Sequence, residues 1–115
     1  MLSRIYHAAE SVTGLHILHI NTTARGGGVA ELLEALTPLM EELGIEQTRQ
    51  VLPLDDASNR FTAHLADLLQ GIEHGDLPEE DQRMFLDKLL HTPLMRHAEE
   101  NQADIYFVHD FQLAP

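Results

Sequence analysis

The sequence predicts an α/β domain built on a parallel sheet, and three observations carry that expectation. A short apolar run, LHILHI at 15–20, is followed by three consecutive glycines, Gly26, Gly27 and Gly28. The glycines lead directly into a leucine-rich run with helical spacing. Two further strand-like runs, at 45–54 and 104–109, are separated by segments of helical periodicity. Strand, glycine loop, helix, strand, helices, strand is the alternation that parallel pairing produces.

Each element follows from its pattern. Ile5, Ala8, Ala9 and Val12 mark a short leading helix that ends at Gly14. Leu15, Ile17, Leu18 and Ile20 crowd together between Gly14 and Asn21, as in a strand buried on both faces. Val29, Leu32, Leu33, Leu36, Met40 and Leu43 recur at helical spacing, so 28–43 is expected to be a helix stopped by Gly44 and bent at Pro38. IEQTRQVLPL at 45–54 is a second strand with Pro53 near its exit. Phe61, Leu65, Leu68 and Leu69 place a helix over 59–70, before Gly71. After the polar connector EHGDLPEED, with Asp76 or Pro78 opening the next helix, residues 79–100 carry Met84, Phe85, Leu89, Leu90, Leu94, Met95 and Ala98. Pro93 divides that run into two helices. DIYFVH at 104–109 is expected to be a third buried strand.

Composition narrows the function. The 115 residues suffice for one small domain, and 19 acids against 7 bases give a net charge of −12. Such a balance disfavours nucleic acid and anionic membrane surfaces, both of which select basic faces. There is no cysteine, so disulfides and thiolate metal sites are excluded. No run approaches a membrane span, and MLSRIYHAAESVTG lacks a signal-peptide core, which leaves the cytoplasm as the expected location. The eight histidines do not make a metal site: His16 and His19 alternate across a strand, His74, His91 and His97 fall in polar contexts, and there is no His-Glu-x-x-His pattern. No metal and no cofactor are expected.

The glycine run sits where a ligand would approach the backbone of a strand–helix junction. Amides at the start of the following helix face an anion there, and the helix dipole favours negative charge. The spacing is neither the dinucleotide fingerprint nor a Walker loop. By itself the loop is either a phosphate or sugar-phosphate contact or a flexible turn.

HINTTARGGGVAELLEALTPLMEELGI resembles the start of retaining, GT-B-type glycosyltransferases of the trehalose synthase or trehalose phosphorylase type. HLADLLQG is similar to that family's His-x-x-Leu-Gln-Gly helix end, and IYFVHDFQLAP to its His-Asp-Pro-Gln-Pro segment, with Phe111 and Leu113 where the family has prolines. The likeness spans 15–115, after a leading helix over 1–14. It implies an incomplete N-terminal, Rossmann-like three-layer domain whose C-terminal donor-binding partner in the same chain is absent. It further implies a nucleotide-sugar substrate and a small sugar acceptor, with the donor base, the acceptor and any homodimer left open.

The resemblance also assigns roles. Gly26, Gly27 and Gly28 would present amides to the donor sugar or diphosphate. Arg25 touches a phosphate or is merely solvated. Asn21 and Thr23 bind sugar hydroxyls or cap the loop. His109 and Asp110 follow the third strand into the same crevice, Asp110 accepting from acceptor hydroxyls and His109 donating to the donor sugar, unless both are structural. His64 and Gln70 match the family but fix a helix end. A fragment of this kind is expected to be inactive alone. The competing expectation is a stand-alone flavodoxin-like or response-regulator-like binding module, against which the strand end Asn-Thr-Thr counts, since regulators place paired acids there.

Overall fold

A computed structural model describes residues 1–72, 75–92, 96, 100 and 102–110. Pro93, Leu94, Met95, Ala98, His74, His97, Phe111 and Leu113 lie outside the described residues. In chain order the elements are α1 (Leu2–Glu10), β1 (His16–Asn21), α2 (Gly28–Glu42), β2 (Glu46–Val51), α3 (Asp56–Leu69), α4 (Glu79–Leu90) and β3 (Ile105–Val108). The three strands form one parallel sheet in the order β2-β1-β3, with β1 in the middle. This is an α/β architecture of the incomplete Rossmann-like kind.

The register fixes which side chains share a face. Leu18 stands opposite Thr48 and Tyr106, and His19 opposite Arg49 and Phe107. The crossover through α2 leads from β1 to one edge of the sheet, and the chain through α3 and α4 returns to the other. Right-handed crossovers in opposite directions put their helices on opposite faces. Leu18 and Ile20 therefore close against Phe85 and Leu89 of α4, with Phe61 of α3 stacked on Phe85 at a centroid distance of 4.8 Å. Ile17, His19 and Asn21 face the α2 side, where Ala30 and Leu33 are buried.

Most boundaries fall within a residue or three of expectation. α3 starts a turn early because the Asp55 side chain accepts the Ser58 amide at 2.8 Å, a cap that opens the helix at 56. α2 continues through Pro38, which lies on the solvent side, so the carbonyl it deprives of a donor is left to water. Gly44 ends α2 at φ +80°, and a β-carbon there would press to 3.0 Å from Thr13 Cγ2, so only glycine suits that turn.

The third strand is a correction. It was expected to be buried, yet Ile105, Tyr106, Phe107 and Val108 are 37%, 42%, 48% and 44% exposed. An apolar run reports what a strand can bury, not whether neighbouring elements cover it. At the sheet edge β3 is paired on one side, to β1, among the described residues. Among the described residues, no helix is long and apolar enough to cross a membrane.

Candidate functional site

The carboxyl ends of β1 and β3 and the start of α2 meet at one edge of the sheet. Asn21, Thr23, Gly26, Gly27, Gly28, Val29, Ala30 and Asp110 line a pocket of about 140 Å³ there. Gly26 and Gly27 hold φ of +73° and +84°, a conformation open to glycine and strained for other residues. A β-carbon at any of the three glycines would meet nothing within 4 Å, so the space beside them is empty. Gly27 caps α2 and has no side-chain acceptor, which leaves the first-turn amides to the pocket.

Asp110 stands across that pocket from the glycines. Its Oδ2 accepts the Thr22 amide at 2.6 Å and the Thr22 hydroxyl at 2.9 Å. At the opposite end of the sheet, Asp104 Oδ2 accepts the His16 amide at 2.8 Å. Aspartates flanking β3 thus clamp β1 at both ends, and the one at the carboxyl end also forms pocket wall.

A further side chain organises the loop after β1. Arg49 of β2 donates through Nε to Asn21 Oδ1 at 3.1 Å, and through Nη2 to the carbonyls of Thr23 at 2.7 Å and Ala24 at 3.0 Å. The Asn21 amide nitrogen donates to Thr23 O at 2.6 Å, and Asn21 is only 1% exposed. Asn21 is therefore a buried brace of the loop, and Thr23 borders the pocket. One guanidinium holding three acceptors sets the shape the glycines continue from. Sequence reasoning missed Arg49, as it missed Thr22. The available signal was alternation in EQTRQV: a strand that places Gln47 and Arg49 on the same face as His19 and Asn21 is polar where it should be buried.

His109 is placed differently from Asp110. It is not among the residues lining the pocket. Its ring lies back against β1, with centroids 5.2 Å from His19 and 6.1 Å from Phe107. Its pKa is lowered by burial first and by the neighbouring His19 ring and Arg49, while Asp110 pulls it upward. Arg25 is exposed on the loop and does not line the pocket. His64 sits within α3, and Gln70 caps its end, with the Gln70 amide donating to the carbonyls of Ala66 and Asp67. Among the described residues, no three His, Asp or Glu side chains group as a metal set.

A larger cavity of about 390 Å³ opens on the other face, between Leu52, Leu54, Asp55, Phe85, Lys88 and Leu89. Its charged side chains pair among themselves, Lys88 with Asp55, and Asp87 with the His91 ring at 3.1 Å. Their pairing leaves little for a polar ligand, so the smaller pocket, with its uncapped amides, is the better candidate.

Residues 19–115 match the family model described as trehalose synthase, N-terminal domain. The chain belongs to this family. It is 33% identical over 113 residues to a trehalose synthase of Pyrococcus horikoshii, covering 98% of this chain and 27% of that protein. It is 32% identical over 114 residues to the trehalose synthase of Thermococcus litoralis, and 31% identical over 114 to that of Rubrobacter xylanophilus. Both comparisons cover 99% of this chain and 27% of the relative. The chain thus spans about a quarter of the length of the curated relatives it matches. The family model takes in the carboxyl-terminal half of β1, the glycine loop and Asp110 together, so the pocket lies wholly inside the matched region.

Proposed function

We propose that this chain forms the acceptor side of a retaining GT-B glycosyltransferase that makes trehalose from a nucleotide-glucose and a glucose-type acceptor. The observation that carries this reading is the pocket in which Gly26, Gly27 and Gly28 face Asp110. The glycine amides and the start of α2 suit the donor diphosphate or sugar, because unpaired amides and the helix dipole both favour anionic oxygen. Asp110 keeps a carboxylate at the pocket wall, where it accepts from an acceptor hydroxyl. His109, the residue before Asp110 and outside the pocket lining, meets a hydroxyl of the part of the donor sugar that extends beyond the pocket. No nucleophile is required of these residues. Their contribution is positioning and stabilisation of the departing diphosphate. The donor nucleotide is held by a second domain of the same polypeptide, and the enzyme works in the cytoplasm.

Gly27→Val tests the reading in the full-length enzyme. A branched side chain would fill the open space beside the amides, so turnover should fall at least tenfold, about 1.4 kcal/mol of barrier. The added β-carbon meets nothing within 4 Å and the strain of a side chain at φ +84° falls on the loop, so the sheet and its core should survive, which the variant's melting temperature and circular dichroism check. Residues 1–115 alone should show no turnover with nucleotide-glucose and glucose. Unchanged kinetics in the variant, or turnover by the short chain, overturns the proposal.

A further inference from the structure

A polar chain crosses the α2 face of the sheet from β2 through β1 to the residue after β3. His19, 4% exposed, sits at its centre. Its Nε2 lies 2.6 Å from Gln47 Oε1, and its Nδ1 lies 2.9 Å from His109 Nε2. The Gln47 amide nitrogen is turned to the carbonyls of Ile45 at 3.4 Å and Glu46 at 3.3 Å, contacts only a donor can make. The oxygen is therefore the atom facing His19.

From that end the hydrogens follow in order. An amide oxygen only accepts, so His19 Nε2 carries a hydrogen. A neutral imidazole with hydrogen on Nε2 has a lone pair on Nδ1. The 2.9 Å contact then requires the hydrogen on His109 Nε2, and His109 Nδ1 is left as an acceptor. The rings cannot easily turn out of this arrangement. Phe107 and His19 stack with centroids 5.6 Å apart and planes 19° apart, and His19 and His109 stack at 24°.

We propose that His19, oriented by Gln47, is a positioning residue that fixes the tautomer of His109, so that His109 meets a sugar hydroxyl as an acceptor through Nδ1. This rests on the reading above that His109 touches substrate, and it gives His109 the opposite hydrogen-bonding sense to the donor role implied by the sequence resemblance. The charged and titratable groups facing His109 are His19, Arg49 and Asp110. Burial first, then the neighbouring His19 ring and Arg49, outweigh Asp110 and hold His109 below the ordinary histidine pKa, which favours an unprotonated Nδ1 near neutrality.

The test uses the full-length enzyme with ¹⁵N-labelled histidine. Long-range proton–nitrogen spectra near pH 7.5 should show His19 and His109 both protonated at Nε2. A proton on His109 Nδ1 overturns the proposal. Two variants then separate tautomer control from packing. His19→Leu removes the acceptor, and kcat/KM for the donor should fall at least tenfold as the Nδ1-protonated form of His109 emerges. His19→Asn returns an amide oxygen near the ring Nδ1 position and should restore activity to within threefold. Equal losses in the two variants assign His19 to packing and overturn the positioning role. In the wild type kcat/KM should fall on acidification, as His109 takes a proton on Nδ1, and a rise overturns the acceptor assignment. If His19→Leu does not fold, the wild-type spectrum and pH profile still decide. A wild-type enzyme that makes no trehalose sinks the functional reading alone, and the spectrum still judges the tautomer.

Discussion

The two faces of β1 reach the same depth of burial by different physics. Leu18 and Ile20 are closed beneath α4, at 0% and 6% exposure, with apolar partners that need only be present and about the right size. His19 and Asn21, at 4% and 1%, are as buried as those neighbours and polar. They are tolerated only because partners 28 and 90 residues away in sequence supply hydrogen bonds: Gln47 and His109 for His19, and Arg49 for Asn21. The apolar face holds the domain together. The polar face aims the residues at its carboxyl end, where the loop to α2 begins. One strand thus presents an apolar packing face and a hydrogen-bonded polar face by the alternation of its side chains.

The contrast can be broken from either side, and the largest effect lies on the apolar face. Leu18→Ala removes a fully buried side chain and should lower unfolding free energy by about 2–5 kcal/mol. Denaturant midpoints would register that loss, while the acceptor KM of enzyme that remains folded should stay near wild type. A changed KM with unchanged stability would mean the two faces are not separable.

Asp110→Asn attacks the polar face. One charged acceptor is lost from the pocket wall and from the Thr22 brace, a loss of about 1.5–3 kcal/mol. Read as kcat/KM for the acceptor sugar, that is roughly 10- to 100-fold, with nucleotide affinity held within about twofold. Should acceptor kinetics stay put while amide exchange around Thr22 accelerates, Asp110 braces the loop and nothing more.

The smallest effect sharpens the comparison at the rim of the apolar side. Asp55 is held below the ordinary carboxylate range first by its hydrogen bond from Lys88 and then by the Ser58 amide. A depressed folded-state pKa contributes stability that is present above the unfolded value, near 4, and is lost as pH falls below it. Asp55→Asn should therefore flatten the acid side of a plot of melting temperature against pH, with little change in enzyme kinetics. An identical acid slope in wild type and variant would show that the Lys88 pair adds nothing to stability.

The order of elements was legible in the sequence because it depends on local rules. Glycines interrupt periodicity at Gly14, Gly44 and Gly71, the spacing in 28–43 is helical, and the apolar run before Asn21 is strand-like, whatever the rest of the chain does. The glycine loop and Asp110 were legible too, since strand ends and helix starts in a parallel sheet gather at one edge. Other features were decided by contacts between distant residues. Whether β3 is covered depends on its neighbours, which DIYFVH does not encode. That Arg49 shapes the loop after β1 depends on a register between β1 and β2 that local pattern does not specify. The direction of the hydrogens at His109 depends on Gln47, 62 positions earlier, through the His19 ring on β1 between them. A period of two or 3.6 is written in consecutive residues. Burial, register and tautomer are properties of pairs that only the folded chain brings together.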